Sequence, residues 1–368
     1  MKFLYVTTVS STINAFLIPH IKMLKNKGYE VDIATSQTEN LTIEAKQLAT
    51  RIYEIHFSRS PINKNNFMAY KEIKKILNEQ RYNVIHVHTP VASAVTRIAA
   101  NSKSGAKLVY TAHGFHFFKG APKINWLLYY TIEKLLAKKT SALITLNQED
   151  FEMGKKLGIK NVFKMNGVGV DLKRFSNTKT NNKLKSQLGI NNADIVFLSV
   201  GELNINKNHR LVIEAFSKLN NNSFKYFICG KGPERENLEK LICQNKLENS
   251  IFLLGFRNDI NELMKLANVF IFPSRREGLP VSIMEAMASG LPIIASNIRG
   301  NNDLVIDKEG GLLFEDNSLV DLVNQLEKVS NQSDINIQKF SNFNIQRIKN
   351  YTIESVLYDL DNIYKDIL

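Results

Sequence analysis

Apolar positions along the chain fall into two alternating patterns. Short β-type runs stand at Phe3 to Val6, Val31 to Ala34, Val84 to Val87, Leu108 to Thr111 and Leu143 to Leu146. Between them lie amphipathic stretches such as Ile18 to Leu24, Met68 to Leu77 and Trp126 to Leu136. That alternation predicts βαβ units on a parallel sheet. The same rhythm restarts with runs at Ile195 to Val200, Lys225 to Cys229, Ile251 to Leu254, Val269 to Phe272 and Ile293 to Ala295. Separating the halves, NGVGVDLKRFSNTKTNNK is rich in glycine and polar residues with little periodicity, and reads as a linker near residues 166–185. A closing helix is expected over about Ile345 to Ile367. Two similar α/β lobes joined by a hinge would leave a cleft between facing sheet ends, where ligand pockets form.

Composition agrees with two lobes and narrows their chemistry. The 368 residues suit two domains of moderate size, and 44% hydrophobic with 23% charged residues is the balance of a soluble globular protein. The two cysteines, Cys229 and Cys243, show neither metal spacing nor a disulfide scaffold, which fits a reduced cytoplasmic compartment. The first apolar run is too short for a signal peptide, and no segment approaches the roughly 20 apolar residues that span a bilayer. The net charge of +13 is unevenly placed: residues 1–170 hold 24 Lys/Arg against 11 Asp/Glu, whereas residues 171–368 hold 24 of each. A basic first lobe suggests an anionic membrane surface. Zinc spacing, a ribonucleoprotein motif and blocks of like charge are all absent, so no nucleic-acid partner is expected.

Candidate chemistry concentrates at predicted strand ends. SRREGLPVSIMEAMASGLPIIAS, residues 274–296, reads as loop, helix and strand, with Pro280 suited to a helix start and Gly290 and Pro292 stopping it. Glu277 then lies on the loop leaving a strand's carboxyl end, and Glu285 on the helix tilts back toward that loop. Free N–H groups at the helix start favour an anion. Glutamate also suits the dipole of any helix start, so the pair alone does not decide. GELNINKN, residues 201–208, is a second carboxyl-end loop, where Lys207 can meet phosphate oxygens and a departing diphosphate. CGKGPERENLEK, residues 229–240, resembles a phosphate loop only weakly, being neither a Walker motif nor G-x-G-x-x-G. In YTAHGFHFFKGAP, residues 110–122, His113 follows a first-lobe strand and can hydrogen-bond a sugar hydroxyl, with His116 in a polar-aromatic lining. His88 ends the preceding strand and reads as structural.

The order Gly201…Lys207, Gly230-x-Gly232, Gly255-Phe256 and Glu277-x7-Glu285 resembles the retaining glycosyltransferases of family 4, over nearly the whole chain. TAHGFHFFKGAPKINWLLYY and GELNINKN resemble in particular the bacterial branch that builds capsular and exopolysaccharide units on a polyprenyl diphosphate carrier. The resemblance implies an α/β GT-B fold, with two Rossmann-like parallel-sheet domains facing across a cleft. Residues 1–170 would bind acceptor, with a C-terminal helix of about 345–368 packing on them, and residues 171–344 would bind the nucleotide sugar. It implies transfer of a sugar from a nucleotide-diphosphate sugar, expected to be a UDP-sugar, to a lipid-linked oligosaccharide or polyprenyl-diphosphate acceptor at the inner face of the plasma membrane. No cofactor and no metal would be used, in keeping with the lack of an Asp-x-Asp motif near a strand end. Glu277 would contact the donor sugar, Glu285 the ribose, and Gly278 and Leu279 the sugar or phosphate through their backbone. Lys207 would hold the diphosphate beside Gly201, Phe256 and Arg257 would lie near the base, and His113 would reach the donor sugar.

The pattern also departs from the family. Glu202 stands where most members carry an arginine, and an acid there repels the donor, so Arg276 (or Arg275 or Arg299) is expected to supply the missing charge. The first loop has Ser10, Ser11, Thr12 and Asn14 in place of Gly-Gly, leaving Thr12, Asn14 and His116 as acceptor-side candidates. Alternatives of other classes are a nucleotide-sugar epimerase on the same fold and a catalytically silent partner subunit.

Overall fold

The computed structural model describes residues 1–101, 105–219, 221–330 and 337–368. The chain divides into two compact units, residues 1–168 with 353–368, and residues 169–352.

The first unit is built on seven strands: β1 (Lys2–Thr7), β2 (Glu30–Thr35), β3 (Arg51–Glu54), β4 (Val84–His88), β5 (Lys107–Ala112), β6 (Ala142–Thr145) and β7 (Val162–Lys164). They lie in the order β3-β2-β1-β4-β5-β6-β7 with parallel pairing throughout, so the order reverses between β1 and β4. Helices on both faces bury the central strands, which explains their near-continuous apolar sequences. Leu4, Val6, Ile85, Val87, Tyr110 and Leu143 belong to one core cluster. The expected closing helix is in fact interrupted. Helix Ile337–Arg347 and the 3-10 turn Ile348–Tyr351 end at Thr352, which turns extended, and a new helix Ile353–Ile367 follows. This last helix belongs to the first unit: the Tyr364 hydroxyl meets both the Tyr5 hydroxyl and His86 Nδ1 at 2.6 Å.

Six strands form the second unit's sheet: β8 (Ile195–Val200), β9 (Phe224–Cys229), β10 (Ile251–Gly255), β11 (Val269–Phe272), β12 (Ile293–Ser296) and β13 (Gly311–Phe314). They too are all parallel, in the order β10-β9-β8-β11-β12-β13, with the reversal between β8 and β11. Phe197, Phe216, Phe224 and Tyr226 pack as an aromatic core on one face of this sheet. The segment expected to be a linker instead folds as helices Leu172–Ser176 and Asn182–Gln187. Its polar residues are helix caps: Asp171 accepts from the Arg174 N–H and Asn181 from the Leu184 N–H, while Phe175 and Leu184 are buried. The chain enters and leaves this unit at one place, where the Val170 N–H donates to the Tyr351 carbonyl at 2.9 Å.

Candidate active site

In an open α/β sheet the crevice for a ligand opens where the strand order reverses. In the second unit the loops leaving β8 and β11 meet there, and their backbones are sewn together. The Arg275 N–H donates to the Asn206 carbonyl at 2.8 Å, and the Asn206 amide donates to the Arg276 carbonyl at 2.9 Å. This fixes Lys207 against Glu277, with 2.6 Å between Nζ and Oε1. The Lys207 stem lies on Gly201, where an added Cβ would come within 3.3 Å of it, and the ammonium stands 4.6 Å from the centre of the Phe272 ring. Both charged side chains are largely covered, at 20% and 13% exposure, so their attraction is screened less than at the surface.

Behind Glu277 the helix Val281–Ala288 begins at Pro280, with no side chain capping its first turn. Its leading N–H groups therefore remain an anion-binding end. The loop before it is pressed against the chain following β12: Gly300, at φ +80°, approaches so closely that a Cβ there would lie 2.4 Å from the Gly278 carbonyl oxygen. Leu279 is buried. On the helix, Glu285 faces a cavity of about 550 Å³ that is also lined by Arg174, Gly201, Glu202, Lys231, Phe256 and Arg257. Burial pushes the Glu285 carboxyl up to about 7, against the pull of the Arg174 guanidinium.

The far wall of this cavity is made by glycine. A Cβ on Gly230, at φ +155°, would sit 1.8 Å from the Gly201 carbonyl oxygen, and one on Gly232 2.3 Å from that of Leu203. Only residues without side chains let the loops after β8 and β9 abut this way. Phe256 presents a ring that is 67% exposed, and Arg257 is held by both carboxylate oxygens of Asp259. Glu202 is exposed and accepts from the Asn204 amide at 3.0 Å. Arg276 is exposed and is not among the residues lining the cavity, Arg275 acts on Asp316, and Arg299 is buried. The structure thus brings Gly201, Glu202, Phe256, Arg257 and Glu285 around one space, with the Lys207–Glu277 pair on its bordering loops. Arg174 and Lys231 complete the lining without having been singled out in the sequence. Arg174 lay in a segment read as linker; Lys231 had a signal, the weak phosphate-loop pattern of Gly230-x-Gly232.

In the first unit His113 follows β5, and its Nε2 lies 3.1 Å from Nδ1 of buried His88. Burial lowers His113 to about 4, so the imidazole is neutral near pH 7 and offers hydrogen bonding rather than charge. His20, His86 and His88 are also held neutral by burial, which makes a buried histidine cluster beside Tyr5. His116 stacks on Tyr129 at 4.6 Å. The Asn14 amide is occupied: it donates to Glu39 Oε1 and the Asn40 carbonyl and accepts from the Thr42 N–H. Thr12 is half-buried, and its N–H turns back to the Val9 carbonyl.

Residues 180–346 match the family described as glycosyl transferases group 1, and residues 2–147 match that of glycosyl transferase 4-like. The putative glycosyltransferase EpsD of Bacillus subtilis (strain 168) is 35% identical over 323 residues, covering 85% of this chain and 83% of that protein. The chain belongs to this glycosyltransferase family. Another relative, the UDP-Gal:alpha-D-GlcNAc-diphosphoundecaprenol alpha-1,3-galactosyltransferase of Escherichia coli, is 30% identical over 328 residues, 87% of this chain and 85% of that one. The glycosyltransferase has the GT-B α/β fold: the crystal structure of Anabaena Alr3699/HepE in complex with UDP matches it with a TM-score of 0.79 over 100% of both chains, at 18% identity. For a glycosyltransferase, a lysine and an open helix end at one crevice are groups able to take up negative charge as a leaving group departs.

Proposed function

We propose that this glycosyltransferase moves a sugar, with retention at the anomeric carbon and without a metal ion, from a UDP-sugar to a hydroxyl of a glycan carried on a polyprenyl diphosphate in surface polysaccharide synthesis. The observation that carries this reading is the Lys207 ammonium, fixed 2.6 Å from Glu277 at the strand reversal beside an uncapped helix start. In the reaction the bond between anomeric carbon and phosphate oxygen breaks, and its electron pair goes to the departing diphosphate. The acceptor oxygen forms the new bond on the same face, and its proton passes to that phosphate. Lys207 and the helix N–H groups stabilise the leaving group; one such contact is worth about 3 to 4 kcal/mol of barrier. Glu277 orients the donor sugar, Glu285 binds the ribose, and Phe256 and Arg257 lie at the base; in the first unit, neutral His113 offers hydrogen bonding to a hydroxyl. The name of the Escherichia coli relative, with its UDP-linked donor and diphosphoundecaprenol acceptor, supports the choice of donor and acceptor.

A membrane-borne acceptor also suits the first unit. No helix among the described residues is long and apolar enough to cross a membrane. An apolar groove of about 460 Å³ runs between helices Asn65–Glu79 and Pro90–Ala99, lined by Pro61, Phe67, Tyr70, Val91, Ile98 and Tyr129. Lys71 sits 4.6 Å from the Phe67 ring centre and Lys74 5.6 Å from that of Tyr70. Apolar surface rimmed by lysine is what an anionic bilayer attracts, so we assign this face to peripheral membrane contact.

The test is nucleotide release from a panel of nucleotide sugars, with and without a polyprenyl-diphosphate-linked glycan and with EDTA present. Release from a UDP-sugar that needs the acceptor and survives EDTA supports the reading, and the anomeric proton coupling of the product reports retention. Turnover without acceptor, or none with any donor, overturns it.

A further inference from the structure

Most of the cations at the donor cavity already face an acid, and this raises the question of what binds a diphosphate there. Glu202 and Glu285 line the space, and Glu277 borders it. Among the cations, Lys207 is matched by Glu277, Arg257 by Asp259, and Arg174 acts on Glu285. Lys231 is exposed, lines the same cavity, and has no carboxylate partner among the described residues. A nucleoside diphosphate needs cation charge that is not already neutralised.

The backbone places Lys231 well for this. The Gly201 N–H donates to the Cys229 carbonyl, the Leu203 N–H to the Lys231 carbonyl and the Glu234 N–H to the Leu203 carbonyl, each at 2.9 Å. Residues 229–234 and 201–203 therefore run against each other as one seam, with Gly230 on Gly201. Lys231 and Glu202 line the same cavity, and Gly230, just before Lys231, abuts Gly201, the glycine on which the Lys207 stem lies. Its ammonium sits 5.9 Å from the centre of the exposed Phe256 ring, which keeps it over the cavity without consuming its charge.

We propose that Lys231 is a donor-binding residue that grips the diphosphate together with Lys207 and offsets the Glu202 carboxylate, the role expected of Arg276 in the sequence. This rests on the proposed nucleotide-sugar donor. The Gly-Lys-Gly order then has a physical meaning: glycine on either side brings the loop onto its neighbour, and the lysine between them delivers the charge at the point of contact.

The experiment is calorimetric titration of the full chain with UDP, uridine and inorganic pyrophosphate. Lys231→Met keeps the stem and removes the charge. It is expected to weaken UDP and pyrophosphate by about tenfold or more and to leave uridine within about twofold, while the melting temperature stays put because the residue is exposed. Glu202→Gln is expected to tighten UDP by about two- to fivefold, and to return part of the loss when combined with Lys231→Met. Arg276→Ala is expected to lose less than Lys231→Met. UDP affinity unchanged in Lys231→Met, a larger loss in Arg276→Ala, or an equal loss of uridine and UDP each overturns the assignment while the donor reading stands. Wild-type protein that binds neither UDP nor pyrophosphate removes both together.

Discussion

Glu277 Oε1 lies 2.6 Å from Lys207 Nζ, so the acid expected to hold the sugar also holds the cation expected to hold the phosphate. The two side chains cannot be read independently. Lys207→Ala removes charge stabilisation at the leaving group and is expected to lower kcat by about 10²- to 10³-fold. Glu277→Gln loses the sugar contact but frees the lysine, so kcat falls while UDP binds as well as in wild type or better. Steady-state kinetics beside UDP titration separates the two, and weaker UDP binding in Glu277→Gln contradicts the shared role.

Glu285 makes donor binding depend on pH. With its carboxyl pushed up to about 7, the free site is largely protonated at pH 6 and ionised at pH 8. A carboxylate accepts from ribose hydroxyls more strongly than the neutral acid. UDP affinity is thus expected to rise several-fold from pH 6 to pH 8 with proton release, and to be flat in Glu285→Gln. The sign for stability is opposite. A raised carboxyl pKa means that stability is lost as pH rises from the unfolded value through 7, so Glu285→Gln is expected to melt higher at pH 8 and little changed at pH 5.

Acid should open the first unit. Burial holds His20 and His113 down to about 4 and pushes His86 and His88 well below the ordinary histidine range. Unfolded histidine takes up a proton near pH 6.5, so stability is lost progressively as pH falls below that value. Trp126, the one tryptophan, packs in this unit 5.7 Å from Phe117, so its fluorescence reports the loss directly. His20→Leu, which removes a buried ring with neither nitrogen hydrogen-bonded, is expected to shift the acid midpoint downward.

Two glycines with positive φ should respond differently to alanine. At Gly230 the new methyl meets the Gly201 carbonyl oxygen at 1.8 Å, whereas at Gly189, φ +65°, it meets nothing within 4 Å. Gly189→Ala is expected to cost about 1 kcal/mol, the ordinary left-handed penalty. Gly230→Ala must part the seam between the loops after β8 and β9, and is expected to cost several times that and to abolish UDP binding. Denaturant melts of both variants check the contrast.

The parallel sheets were legible because strands such as β1 and β8 are buried on both faces and therefore read as unbroken apolar runs. Three strands at the margins gave no such signal. β3 is RIYE with both ends exposed, β7 is three residues long, and β13 hides behind a glycine pair. The helices in the linker segment are hidden for a different reason: Asp171 and Asn181 look like loop residues until their side-chain oxygens are seen capping helices. At the site, the lysine, the glutamates and the glycines could be placed from strand-end position alone. Arg174 could not, because it reaches the cavity from a helix far along the chain from the other lining residues, and Lys231, though at a strand end, gives only the weak Gly230-x-Gly232 signal until its seam with residues 201–203 is seen.

The helix Ile353–Ile367 has a consequence for how the molecule is made. Tyr364, which joins Tyr5 and His86 in the first unit, leaves the ribosome after every residue of the second. The amino-terminal sheet must wait through the whole synthesis of its neighbour with that polar pair unsealed, and shortening the last helix is expected to harm the half of the protein encoded farthest from the cut.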